Sequence, residues 1–146
     1  MSKTIYILYY SRTGSVKTIA DKISQIFSSL ETPNVDLKMM LAEKIDLEAL
    51  ILADGYIIGT PNYFGASAGY IKVFFDELYQ VKQVRGKPIF CFVSHGGGGD
   101  IQDLKMMSKA LKLKTVGTSI IVRRDNITDL HVKNIEENLK IMLKSL

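Results

Sequence analysis

With a single cysteine, Cys91, in 146 residues, the chain can close no internal disulfide and build no cysteine-rich metal centre. Cys91 sits in IFCFV, a run with the character of a buried strand, where a thiol is usually an inert core group. Only two histidines are present; they lie far apart, with His131 in the last helical segment, so no metal site is expected. No apolar run reaches the roughly 18–20 residues of a membrane span. The opening MSKTIYILYYS lacks the basic start, longer apolar region and small-residue cleavage site of a secretory leader, so the protein reads as cytoplasmic. A strong charge of either sign is missing too. The formal net charge is +4, and no aromatic–basic interleaving accompanies the lysines, so no nucleic-acid binding is expected. The densest basic group is Lys105, Lys109, Lys112 and Lys114. Its spacing suits one solvated side of a helix, or a docking surface for an acidic protein. Repeats and low-complexity tracts are absent, and the length suits one domain over residues 1–146.

What is present is apolar residue in abundance, 47% of the chain, enough for a substantial core. KTIYILYY, residues 3–10, is a β-branched and aromatic run that reads as a first strand. Val16, Ile19, Ala20, Ile23, Ile26, Phe27 and Leu30 follow at steps of three and four, the period of an amphipathic helix. Pro33-Asn34 breaks the chain, and Val35–Met39 reads as a second strand. Asp46 suits the cap of a short helix over Leu47–Leu52. Asp54-Gly55 turns into a third strand, Tyr56–Thr60. Pro61–Ser67 reads as a loop and Ala68–Tyr79 as a helix with Ile71, Phe74, Phe75 and Leu78 on its apolar side. Ile89–Ser94 reads as a fourth strand. A helix from about Asp100 to Leu113, a fifth strand over Thr115–Val122 interrupted at Gly117, and a last helix complete the order. Thr128 suits the cap of that helix, and Leu130, Ile135, Leu139 and Met142 its apolar side.

Strict strand–helix alternation predicts a doubly wound, three-layer α/β sandwich. Strands one, three and four are apolar almost throughout, as parallel strands covered on both faces must be. In such sheets ligands bind beyond the carboxyl ends of the strands. SRTGSV, TPNYFGAS and SHGGGGD follow strands one, three and four there.

Ser11-Arg12-Thr13-Gly14-Ser15-Val16 leads directly into the first helix, whose free N–H groups and partial positive charge suit an anion. Gly14 lets the backbone approach closely, and Ser11, Thr13 and Ser15 carry hydroxyls. An ordinary capped strand–helix turn would use the same residues. GxxxxGK[ST] is absent, which argues against an ATPase or GTPase of the P-loop kind, and GxGxxG is absent as well. One glycine among hydroxyl residues suits a terminal phosphate monoester, hence a mononucleotide.

SRTGSVKTIA resembles the phosphate loop of the flavodoxins, [ST]-x-T-G-x-[ST] entering the first helix. It matches at Ser11, Thr13 and Gly14 and departs at Val16, where a hydroxyl is usual. GTPNYFG resembles the second flavin loop of flavodoxins and of the related flavin-dependent NAD(P)H:quinone reductases, G-[TS]-P-x-[YR]-[FW]-G. The resemblance spans nearly the whole chain. It implies a five-stranded parallel sheet of order 2-1-3-4-5 and a bound FMN. Tyr63 and Phe64 would offer an apolar surface to the isoalloxazine ring. Pro61 and Asn62 would set the turn, and Gly65 would free a backbone N–H. SHGGGGD stands at the third flavin loop, so Ser94, His95, Gly96, Gly97 and Asp100 join the expected FMN contacts. Asp100 equally suits a helix cap, and His95 a local hydrogen bond or a contact to the reduced ring. Residues 94–100 lack the aromatic that many flavodoxins stack on the flavin there.

The resemblance thus implies an electron carrier between a reductase and an acceptor protein, with no catalytic residue of its own. It would be monomeric, with a dimer as the alternative. An FMN-dependent NAD(P)H oxidoreductase acting on a quinone is the second reading, favoured by the HGG run and the missing aromatic. A non-redox binding domain on the same scaffold is the third.

Overall fold

Tyr56 and Ile58 point to one side of their strand and Ile57 to the other, and all three are fully buried. That two-sided burial requires a central strand with helices on both faces. In the computed structural model, which describes residues 2–146, Tyr56–Ile58 lie in such a strand. The strands are β1 (Lys3–Tyr9), β2 (Val35–Leu41), β3 (Gly55–Pro61), β4 (Pro88–His95), β5 (Lys114–Thr115) and β6 (Ile120–Arg123). They form one parallel sheet of order β2-β1-β3-β4-β5, and β6 also pairs with β4. The expected strand order is therefore present, with one strand more than expected.

The extra strand is the second half of the expected fifth strand. β5 and β6 both run parallel to β4, at Pro88–Ile89 and at Phe92–His95. Between them the chain leaves the ladder at Gly117, φ +63°. Asn138, buried in the last helix, holds that excursion: its Nδ2 donates to the Thr118 carbonyl at 2.6 Å and its Oδ1 accepts from the Thr118 N–H at 3.1 Å. A Cβ at position 117 would lie 1.9 Å from Asn138 Oδ1, so the excursion requires glycine on both counts.

Among the described residues, five α-helices cover the sheet: α1 (Ser15–Ser29), α2 (Leu47–Leu52), α3 (Gly69–Leu78), α4 (Asp103–Ala110) and α5 (Asp129–Ser145). On one face Ile5, Ile7, Phe90, Phe92, Ile120 and Val122 pack against Ile19, Ile23 and Phe27 of α1 and Ile135, Leu139 and Met142 of α5. On the other, Leu8, Tyr56, Ile58, Ile89 and Val93 meet Leu50, Ile71, Phe74, Leu78 and Leu104 from α2, α3 and α4. Asp46 caps α2 as expected, accepting from the Ala49 N–H at 3.1 Å. Thr128 caps α5 in a reciprocal box with His131, whose Nδ1 accepts from the Thr128 N–H at 2.9 Å.

Three sequence expectations change. The fourth helix starts at Asp103 rather than near Asp100 and ends at Ala110. Lys112, at φ +58°, and Lys114, in β5, therefore lie beyond it. Leu130 is 65% exposed and does not share the apolar side of α5. Asn138 joins that buried side instead, with its polar atoms satisfied inside the core. Among the described residues, no helix is long and apolar enough to cross a membrane.

Candidate functional site

The loops after β1, β3 and β4 emerge at the same, carboxyl-terminal edge of the sheet, because the three strands are parallel neighbours. In the first, Gly14 precedes α1 in a left-handed conformation at φ +98°, and a Cβ there would meet no atom within 4 Å. The Ser11 hydroxyl accepts from the N–H groups of Gly14 at 3.2 Å and Lys17 at 3.1 Å. An oxygen is thus already held where the helix concentrates its donors. Among the described residues, the N–H groups of Thr13, Ser15 and Val16 make no hydrogen bond. The Val16 side chain is buried in the core, so its backbone alone faces this turn. Arg12 and Thr13 are exposed.

The second loop is a tight hairpin. Tyr63 and Ala66 exchange two backbone hydrogen bonds at 2.8 and 3.0 Å around Phe64 and Gly65. Both central residues have positive φ, +55° and +83°. Phe64 is uncommon there, since a non-glycine left-handed residue is strained by about 1 kcal/mol or more. The turn nonetheless holds Phe64 fully exposed, at 107%. Asn62 ties this loop to the third. Its N–H donates to the Ser94 carbonyl at 2.8 Å and its Nδ2 to the Gly99 carbonyl at 2.9 Å. Its Oδ1 accepts from the Gly65 N–H at 2.8 Å, so that N–H is engaged rather than free as expected. Pro61 ends β3 opposite Ser94.

In the third loop the Gly97 N–H donates to His95 Nδ1 at 3.0 Å, which makes His95 a local organiser of the glycines. Ser94 is turned inward, its hydroxyl donating to the Arg124 carbonyl at 2.7 Å. Asp100 does not cap α4; its carboxylate accepts from the adjacent Ile101 N–H at 2.7 Å. Asn62, Phe64, Gly65, Gly96, Gly97 and Gly98 line an open cleft of ≈ 470 Å³. Glycine backbone forms one wall, and an aromatic ring stands at the rim.

Several residues that shape this edge escape a motif-based reading. Asp103 Oδ2 accepts from both the N–H and the hydroxyl of Ser67, at 2.9 and 2.8 Å, so α4 clamps the end of the second loop. Thr60, fully buried, accepts from the Ala68 N–H at 2.9 Å. Tyr10 stacks on Tyr70 at 5.2 Å and meets Tyr63 edge-on at 6.3 Å. Partial burial pushes the Tyr63 phenol up; Tyr10 adds to this and the Arg12 guanidinium opposes it. Polar side chains that bridge loops follow no periodicity, so spacing could not reveal them. Tyr63 was legible in the GTPNYFG motif, but Tyr10 was visible only as the end of an apolar run and Tyr70 only as a helix residue.

The donor set fits an FMN. Exposed N–H groups at a helix start suit a phosphate monoester, and the glycine-walled cleft beside Phe64 suits a flat heterocycle. Among the described residues, no group of three or more His, Cys, Asp or Glu side chains could hold a metal ion. Cys91 is buried in β4; burial and then Asp100 and Asp103 push its thiol up to about 12.

A family profile described as NADPH-dependent FMN reductase matches residues 16–126. The chain is 31% identical over 134 residues to a quinone-oxidoreductase QR2 of Triphysaria versicolor, covering 77% of this chain and 65% of that protein. It is 30% identical over 115 residues to a flavodoxin of Aquifex aeolicus strain VF5, covering 77% of this chain and 61% of that one. It therefore spans less than two thirds of either relative. In fold it is similar to the flavodoxin of Streptococcus pneumonia TIGR4, with TM-score 0.82 at 17% identity over 98% of this chain and 99% of that one.

Proposed function

We propose, from the premise that this chain belongs to the flavodoxin-like NADPH-dependent FMN reductase family, that it binds FMN and carries electrons between redox partner proteins. The observation that carries this reading is the meeting of an anion-receptive helix start and a glycine-walled, aromatic-rimmed cleft at one edge of the sheet. FMN, when bound, supplies the redox chemistry, accepting and passing on electrons. The protein's part is to bind, orient and screen. The N–H groups of Thr13, Ser15 and Val16, with the hydroxyls of Ser11, Thr13 and Ser15, hold the phosphate. Asn62, bonded to Ser94, Gly65 and Gly99, keeps the second and third loops at a fixed separation. Phe64 covers apolar ring surface and excludes water from it. His95, through the Gly97 N–H, orients the glycine backbone that faces the cleft.

A second reading is an FMN-dependent NAD(P)H oxidoreductase with a quinone or similar acceptor. The family description and the quinone-oxidoreductase relative favour it, as does the absence of an aromatic residue from positions 94–100. Stepwise anaerobic reduction of the FMN-loaded protein separates the two. Two resolved one-electron steps, with no oxidation of added NAD(P)H, support the carrier. Rapid NAD(P)H oxidation in a single two-electron step supports the enzyme. Protein that takes up no FMN would sink both.

A further inference from the structure

The four lysines between 105 and 114 remain without a role, and the structure sets three of them, Lys105, Lys109 and Lys112, beside apolar surface. Two grooves share α4 as a wall. The first, ≈ 600 Å³, lies between α3 and α4, with Phe75 and Leu111 buried in it and Val73, Tyr79, Met107 and Ala110 along it. Val73 is 46% and Tyr79 55% exposed, a high value for residues of this kind. The second, ≈ 640 Å³, is lined by Lys105, Lys109, Lys112, Leu113 and Thr115. The charged residues lining the two grooves are Lys72, Lys105, Lys109 and Lys112 against one carboxylate, Asp76. They hold three of the four positive charges by which the chain exceeds neutrality. None of these lysines joins an ion pair among the described residues.

The geometry points to the α3–α4 face as a docking surface for an acidic protein that presents an apolar side chain among its carboxylates. Apolar area in the groove supplies the contact, and the lysine rim steers and orients the partner. The partner's chemistry follows from the charge. A second copy of this chain would bring the same lysines and be repelled. A nucleic acid would want several aromatic platforms among the cations, whereas Tyr79 is the one exposed aromatic lining these grooves and the lysine-lined groove has none. The first turns of α3 and α4 follow the second and third loops, but the grooves run along their later turns, Val73 to Tyr79 and Met107 to Leu111, and on to Thr115 beside the start of β4, toward the opposite edge of the sheet. The docking surface is thus separate from the cleft. The inference rests on the electron-carrier reading only in its choice of a redox protein as probe.

The test titrates a plant-type [2Fe–2S] ferredoxin, a strongly acidic redox protein, into the full ¹⁵N-labelled chain with and without FMN. Expected are amide shifts centred on Val73, Tyr79, Met107 and Ala110 in both samples, with affinity falling about tenfold or more as salt rises from about 50 to 300 mM. K105E/K109E/K112E should lose about tenfold or more, and the equally charged K133E/K140E/K144E on α5 far less. Val73→Ser should weaken binding without changing the salt slope. Equal losses in both triple variants, or shifts centred elsewhere, would overturn the proposal. So would an indifferent response to ferredoxin with polyuridylate or self-association shifting the same amides. Because the shifts are read without FMN as well, failure of the docking surface is separable from failure of the flavin reading.

Discussion

At the scale of single residues, the hydroxyls of the first loop divide their work. Ser11 already accepts from two backbone N–H groups, while Thr13 is exposed and makes no hydrogen bond among the described residues. Thr13→Val should therefore leave the fold intact and weaken FMN binding by about tenfold, the loss of one hydrogen bond to a charged group. Flavin fluorescence titration measures it, and unchanged affinity would remove Thr13 from the phosphate site. Cys91 acts on stability instead. Its thiol is raised from 9.0 to about 12 by burial first, then by Asp100 and Asp103. The unfolded chain ionises near pH 9 while the folded one keeps its proton. The stability linked to Cys91 is thus complete below about pH 9 and lost between about 9 and 12, at up to ~1.4 kcal/mol per pH unit. Denaturant unfolding at rising pH should show that slope, added to a like one from Tyr56, which burial also raises. Cys91→Ala should flatten it; identical slopes in both proteins would refute the assignment.

At the scale of elements, the broken edge of the sheet shows how one buried polar group decides a boundary. The run Thr115–Val122 has strand composition throughout, yet Asn138 takes both backbone groups of Thr118 and splits it into β5 and β6. Asn138→Ala takes the side-chain partner from both the N–H and the carbonyl of Thr118, an exposed residue held by two part-buried bonds. It should cost about 1–3 kcal/mol, read as a lower urea midpoint at unchanged m-value. A loss below ~1 kcal/mol would show that water satisfies Thr118 equally well. The fourth helix follows the same logic at its start. Asp103 rather than Asp100 opens it, because the Asp103 carboxylate is held by Ser67 from the second loop, a partner 36 residues away.

At the scale of the whole molecule, the two core layers are packed from strand and helix side chains, while the three loops leave the sheet by one edge. FMN should stabilise by linkage. At a free concentration of about 100 times its dissociation constant the gain is ~2.7 kcal/mol, or a melting temperature higher by roughly 5–10 °C for a chain of this size. Thermal denaturation followed by circular dichroism measures the shift. An unmoved transition under those conditions would mean that FMN does not distinguish the folded chain from the unfolded one. Riboflavin, which lacks the phosphate, should move it less.

Architecture was legible in the sequence because it rests on local periodicity. The spacing of Ile19, Ile23 and Ile26 in α1, the two-sided burial of Tyr56–Ile58, and the caps Asp46 and Thr128 each follow from neighbours along the chain. Candidate loops were legible for a related reason: in a parallel sheet, every loop that follows a strand leaves by the same edge. Pairings between residues distant in sequence were not legible. Asn62 with Gly99, Ser67 with Asp103, Ser94 with Arg124 and Asn138 with Thr118 span separations of 20–37 residues. Each is decided by which buried or half-buried donor lies opposite which acceptor once the layers close. The alternating elements, and the edge at which a ligand would bind, were thus written into the order of residues. How the loops at that edge are held together was decided only on folding, because a hydrogen bond between loops has no period along the chain.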